Sequence, residues 1–361
     1  MTGTLASPTE LDLDSYRVQV EARLEAFLAG KGRAARSQAF PTRAVEELRS
    51  FFAAGGKRIR PLLCACGWHA AGGGPEPAGL VSAGAALEMF HAFALIHDDV
   101  MDRSDTRRGQ PTVHRCMATE FTRTHPRAEV EQLGIGAAIL IGDLALTWSD
   151  ELLHAVGLDP DRLAAALSLI DEMRTEVMYG QYLDLTGSAR LEARTDLPLT
   201  VIRYKTAKYT VERPLQLGAT LAGADKRLLD DLSAFAIPLG EAFQLRDDLL
   251  GIFGDPGETG KSRLDDLREG KYTVLVALAL AAADERQEAD LRATLGNQAI
   301  GETDAERARE IMTATGAAEG VERMIGERYR EALDALTAAA LPAPADHALR
   351  TIAHAAAWRR S

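Results

Sequence analysis

From about Asp14 onward, apolar residues recur at helical spacing, while the alternation of β-branched and aromatic residues that marks a strand is almost absent. Val18, Val20, Leu24 and Phe27 set a first stripe, and Val45, Leu48, Phe51 and Phe52 a second, over roughly 42–54. Further helices are expected near 80–102, 133–156, 160–184, 198–223, 227–253 and 271–284, with two or three more before the end. Loops are expected at 71–79 and 187–197, and a polar stretch at 119–131 precedes the helix at 133–156. The pattern predicts an all-α fold, a large single-domain helical bundle with its site built between facing helices. Residues 1–12 read as a loose lead-in and 13–361 as one domain, without a solenoid period or an interdomain linker.

At 361 residues, 46% of them hydrophobic, the chain can bury a large core. Its formal net charge of −12 argues against general binding to nucleic acid or anionic lipid, so an anionic ligand must be met by local basic groups or bridging metal. Cys64, Cys66 and Cys116 form no C-x-x-C pair, and an odd number fits a reduced, cytoplasmic protein. No secretory signal is recognisable at the start, and no run of about 18 apolar residues predicts a membrane span.

Two acidic clusters stand out. In His91–Gly109 an apolar stretch runs into Asp98, Asp99 and Asp102 and closes on Arg107 and Arg108. On a helix Asp98 and Asp102 share a face, with Asp99 about 100° round. Far downstream, Asp247 and Asp248 repeat the leading pair, but Gly251 stands where a third carboxylate would complete the pattern. Oxygen-only ligands suit Mg2+, which keeps waters and takes further oxygens from substrate phosphates. The second cluster is therefore expected to offer fewer protein oxygens. Gly56-Lys57-Arg58-Ile59-Arg60-Pro61 adds cations at a helix break, where Lys57 and Arg60 can converge on one anion. Either cluster or basic patch alone is compatible with a solvated surface; the set points to a metal-bridged polyanion. Of the histidines, only His91, seven residues before Asp98, is assigned chemistry. Asp255–Ser262 imitates a phosphate-binding loop, but Asp255 replaces the first glycine and a helix, not a strand, precedes it. Asp98–Gly109 likewise lacks the residue order of a calcium loop.

The ordered series Gly-Gly-Lys-Arg-x-Arg-Pro, Asp-Asp-x-x-Asp with Arg-Arg-Gly, Lys-Thr, and Phe-Gln-x-x-Asp-Asp, over about residues 50–275, resembles trans-type polyprenyl diphosphate synthases, most of all geranylgeranyl diphosphate synthases. The resemblance implies a dimeric all-α enzyme with two or three Mg2+ per site, condensing isopentenyl diphosphate with an allylic diphosphate. It implies that Lys57, Arg60, His91 and Arg108 hold isopentenyl diphosphate. Asp98, Asp102 and Asp247 would ligate Mg2+, with Asp99 and Asp248 in support, and Arg107, Lys205, Lys261 and Lys271 would face the allylic diphosphate. Thr206 and Gln244 would stabilise the allylic cation through their dipoles.

In such enzymes bulk about one turn before the first Asp limits chain growth. Phe93 beside the small Ala94 therefore favours a geranylgeranyl product, with farnesyl or somewhat longer products as alternatives and a plain core role for Phe93 as the other reading. A class I terpene cyclase would not need the Lys57/Arg60 pocket, and the Asn-x-x-x-Ser-x-x-x-Glu motif is absent. An inactive partner subunit would be expected to lack the first Asp cluster, which is intact.

Overall fold

The computed structural model describes residues 10–75, 77–157, 159–187, 191–254 and 264–359. Helices carry most of them, and the chain divides into two compact units.

Asp12–Ala65 and Gly74–Leu163 make up one unit. Helix α1 (Leu13–Ser37) starts where the Asp12 carboxylate accepts from Ser15 N at 2.9 Å, pairing one of the first-turn amides. It buries Tyr16, Val20, Leu24 and Leu28, an apolar stripe at spacing four. The Tyr16 hydroxyl donates to the Leu80 carbonyl at 2.9 Å. After α2 (Arg43–Ala53) and the opening of α3 (Ile59–Ala70) comes α4 (Ala78–Met101). Helix α4 buries Ala83, Leu87, Phe90 and Ile96. It packs along α6 (Arg127–His154), where Gly142 lies so close to the His97 ring that a Cβ would enter it.

Two features were not foreseen. Helix α5 (Val113–Phe121) occupies part of the expected polar stretch, and α6 starts at Arg127, right after Pro126. The first turn of α6 is mostly solvated, so apolar periodicity alone misses it. A two-stranded hairpin, Thr106–Arg107 with Gln110–Pro111, follows α4. The helices Gly79–Met101 and Arg127–His154 are long and apolar enough to cross a membrane. The apolar window of the first is 78% buried in protein and that of the second 33%. Glu88, His91, Asp143 and Asp150 interrupt these stretches, which is why no unbroken apolar run marks them in the sequence.

The other unit contains Cys66–Gly73 and Ala164–Ser361. After α7 (Pro160–Gly187) come α8 (Asp196–Val201), a π-wound stretch (Ile202–Glu212), α9 (Arg213–Ala222) and α10 (Lys226–Phe253). Helices Asp265–Glu269, Val274–Ala282, Glu285–Thr294, Glu302–Ala314, Ala317–Ala339 and Ala343–Trp358 complete the described chain, one more after residue 284 than the upper expectation. Asp225 caps α10 through Leu228 N at 2.9 Å. The inner face of α10, Ala242, Leu245, Leu249 and Ile252, packs with Leu275, Ala279, Ile311, Val321 and Ile325 in one core. Against the π-wound stretch, α7 and α10 each present a glycine. A Cβ on Gly180 would stand 2.8 Å from Lys205 N, and one on Gly240 would stand 2.7 Å from Ala207 Cβ. Backbone therefore presses on backbone around Lys205 and Thr206. Runs of π-winding are rare and concentrate at functional sites.

Candidate active site

The first acidic cluster closes α4. Asp102 N donates to the Asp98 carbonyl at 2.8 Å, so the two carboxylates are one helical turn apart. Both are partly exposed, whereas Asp99 is only 2% exposed. The chain then reverses through Arg108 (φ +53°) and Gly109 (φ +71°), the two left-handed residues of a tight hairpin turn. That reversal brings Arg107 back onto α4. Its Nε donates to Asp99 Oδ1 at 2.8 Å and Oδ2 at 2.9 Å, its Nη2 lies 2.7 Å from Oδ1, and Asp98 Oδ2 is 3.7 Å away. Burial works to lower the Arg107 pKa, but Asp99, with Asp98 and Asp102, raises it overall. Asp99 is thus a buried counterion that anchors Arg107, while Asp98 and Asp102 stay open to solvent.

Arg108 donates to the Gly55 carbonyl and lies over the Phe51 ring at 5.8 Å. Gly56 (φ +154°) is bracketed by cations: a Cβ there would meet Arg58 Nη1 at 2.9 Å and Arg108 Nη2 at 3.1 Å. The hairpin and the Gly55–Arg60 turn, separate in sequence, form one basic pocket. Arg58 is in the left-handed region (φ +50°) and buried, with Glu88 at 3.1 Å, Glu21 at 3.3 Å and the Phe52 carbonyl at 2.9 Å. Lys57 is exposed and Arg60 half-buried at the same break. One turn along α4 from Glu88, His91 is held well below its usual range by burial and by the charges of Arg60, Arg107, Arg108 and Arg58, so it is neutral at physiological pH. Phe93 is buried against Phe90 (5.2 Å between ring centres) and His97 (4.7 Å), and Ala94 is half-buried.

In the other unit, Lys205 pairs with Asp184 at 2.7 Å. Thr206 Oγ1 donates to Gln244 Oε1 at 2.7 Å, and Gln244 Nε2 donates to Asp248 Oδ1 at 2.8 Å. Burial pushes Asp248 up to about 7; the Gln244 hydrogen bond opposes the rise, and the charges of Asp266 and Asp247 add to it. Asp247 is more exposed and is paired with Arg359, whose guanidinium lies 4.0 Å from the Phe243 ring centre. Lys271 stands 2.7 Å from Glu269 and 3.6 Å from Asp266. Lys261, with the rest of residues 255–263, lies outside the described residues.

Sequence reasoning missed Glu88, Asp184, Asp266 and Arg359. Only Glu88 left a signal, since it lies three residues before His91 on the same helix face.

The donor set suits a hard divalent cation, because it is all oxygen and the first cluster is partly solvated. Among the described residues no three His, Cys, Asp or Glu side chains converge on one point, so an ion here would take other oxygens from water or substrate. With carboxylates at one end of α4 and a basic pocket beside them, the arrangement can hold a metal–diphosphate and a second phosphorylated group.

The family model for polyprenyl synthetase matches residues 42–312. The chain belongs to that family. A geranylgeranyl diphosphate synthase of Saccharolobus solfataricus is 36% identical over 263 residues, 72% of this chain and 74% of the relative. A geranylfarnesyl diphosphate synthase of Aeropyrum pernix is 33% identical, covering 79% of this chain and 85% of its own length. The solved geranylgeranyl pyrophosphate synthase of Corynebacterium glutamicum, complexed with isoprenyl diphosphate and magnesium, matches with a TM-score of 0.92 and 41% identity, over 97% of this chain and 100% of that one. A decaprenyl diphosphate synthase of Rhodobacter capsulatus also matches, with a TM-score of 0.76 and 29% identity, so the shared fold does not decide product length. This polyprenyl synthetase is an enzyme of short-chain prenyl diphosphate synthesis, a prenyltransferase of isoprenoid biosynthesis, and the substrates of its family are isopentenyl and allylic diphosphates.

Proposed function

We propose that the chain condenses isopentenyl diphosphate with an allylic diphosphate to make geranylgeranyl diphosphate, with Mg2+ at two or three positions per site. The observation that carries this reading is the hairpin 106–111, which joins Arg107 to the acidic end of α4 and Arg108 to the basic Gly55–Arg60 turn. Metal-type carboxylates and an anion pocket are thereby built by one local fold. Asp98, Asp102 and Asp247 would hold the metal, with Asp99 and Asp248 in support. Lys57, Arg60, Arg108 and the neutral His91 bind isopentenyl diphosphate. Arg107, Lys205, Lys261 and Lys271 face the allylic diphosphate. When bound, Mg2+ supplies charge neutralisation for the leaving diphosphate.

The residues of the chain contribute orientation and polarity. Asp99 keeps the Arg107 fork aimed, and fixed donors act without reorganising as charge develops. Thr206 and Gln244, held in line by their hydrogen bond, direct dipoles toward the allylic cation. The isopentenyl double bond attacks that cation and a proton is then lost; no side-chain base is assigned. Phe93, backed by Phe90, limits the product to twenty carbons.

Residues 13–361 are proposed as one all-α domain, a reading supported by the family match spanning 42–312. A homodimer is proposed on the exposed apolar residues Ile139, Leu140 and Leu144 of α6, and a cytoplasmic location on the reduced cysteines.

The test is incubation of the purified chain with Mg2+, isopentenyl diphosphate and each allylic primer, followed by product sizing. A twenty-carbon diphosphate made by the chain alone is expected. Release of hydrocarbon or alcohol from allylic diphosphate alone would make it a cyclase, and no turnover without a partner chain would make it an inactive subunit.

A further inference from the structure

Gly251 stands one helical turn beyond Asp247, where a carboxylate would share its face of α10. That space is filled from elsewhere. A Cβ built on Gly251 would overlap Asp266 Oδ2 and stand 2.8 Å from Asp266 Cγ. Asp266 belongs to the short helix Asp265–Glu269, and its side chain is only 19% exposed. Its contact with Lys271 is 3.6 Å, beyond hydrogen-bond length, and Lys271 makes its shorter contact, 2.7 Å, with Glu269. The Lys271 pair therefore does not account for a carboxylate pressed against the α10 backbone. Glycine at 251 does, because any side chain there would evict it.

We infer that Asp266 supplies, from a separate helix, the third carboxylate of the second acidic cluster and helps position the divalent cation held at Asp247. This inference rests on the synthase reading above. The shortfall of protein oxygen expected from Gly251 is made good in space, not in sequence. Asp266 is a positioning residue: it acts through the cation and its water shell, and residues that orient a metal's surroundings typically change affinity 10–100-fold when removed.

The test measures Mn2+ binding by the full-length protein in the presence of inorganic diphosphate, using loss of the free Mn2+ electron paramagnetic resonance signal. Asp266→Asn keeps the shape and removes the charge, and should weaken Mn2+ binding about 10-fold. Asp266→Gly should do the same, and the transplant Gly251→Asp/Asp266→Gly should recover most of the loss. A purely structural Asp266 would lower the melting temperature and leave Mn2+ affinity alone, which would overturn the inference. A transplant that folds but binds no better than Asp266→Gly would overturn it too; if the glycine variants do not fold, Asp266→Asn decides. Wild-type turnover is assayed in parallel. Its absence would sink the synthase reading, while its presence with unmoved Mn2+ affinity in Asp266→Asn sinks only this one.

Discussion

Truncating Arg107 to alanine should strand the Asp99 carboxylate in the protein interior. Asp99 is 2% exposed and takes three short contacts, 2.7–2.9 Å, from that one guanidinium. Breaking a fully buried pair costs about 3–5 kcal/mol, because the remaining charge is uncompensated. The Arg107 side chain is 23% exposed, so water enters after truncation and the expected loss is smaller, about 2–3 kcal/mol. At roughly 2–4 °C per kcal/mol, less in a longer chain, the metal-free melting temperature should fall by about 4–8 °C. Arg107→Lys keeps the charge without the planar fork and should recover only part. Asp99→Asn should be milder, since the amide oxygen still accepts, and a double-mutant cycle should give a coupling above about 1 kcal/mol. Calorimetry on the four proteins measures this, with the KM for allylic diphosphate followed in parallel. An Arg107→Ala melt indistinguishable from the wild type, or strictly additive effects, would mean that the hairpin is not locked to α4 as described.

Asp248 gives a pH dependence. Its native pKa of about 7 lies above the ordinary 3.8, so the folded state binds the proton more tightly than the unfolded one. Stability of the metal-free protein should fall as pH rises from about 4 to 7, by up to roughly 4 kcal/mol, and Asp248→Asn should flatten that slope in denaturant titrations at pH 5 and 8. An unchanged slope would place the proton elsewhere. Phe93→Ala removes a buried ring at about 3–5 kcal/mol of stability and should lengthen the product; an unaltered product profile excludes a chain-length role. Chelation by EDTA should abolish turnover and added Mg2+ restore it, and activity that survives chelation would contradict the metal requirement.

The helical stripes and the two acidic clusters are local patterns, and they could be read directly: Asp98 and Asp102 are four apart in any helix. What joins distant segments could not. Gly56 is a glycine because guanidinium groups from Arg58 and Arg108 close round it, and the second of these arrives through a hairpin turn whose left-handed Arg108 carries no familiar turn signature. The π-winding over 202–212 was equally hidden, since nothing local in its sequence marks it and the glycines that let other helices press on it, Gly180 and Gly240, lie elsewhere in the chain. Glu88 sits within the apolar run of α4 and reads there as an interruption, yet in space it is the buried counterion of Arg58.

The Arg359–Asp247 contact has a practical corollary. Because the side chain of residue 359 rests on a carboxylate proposed to bind metal, an affinity tag inserted directly after residue 359 would be tethered beside that carboxylate. A polyhistidine tail in that position would bring its own ligands to the cation, so titrations on such a fusion would report the tag together with the enzyme.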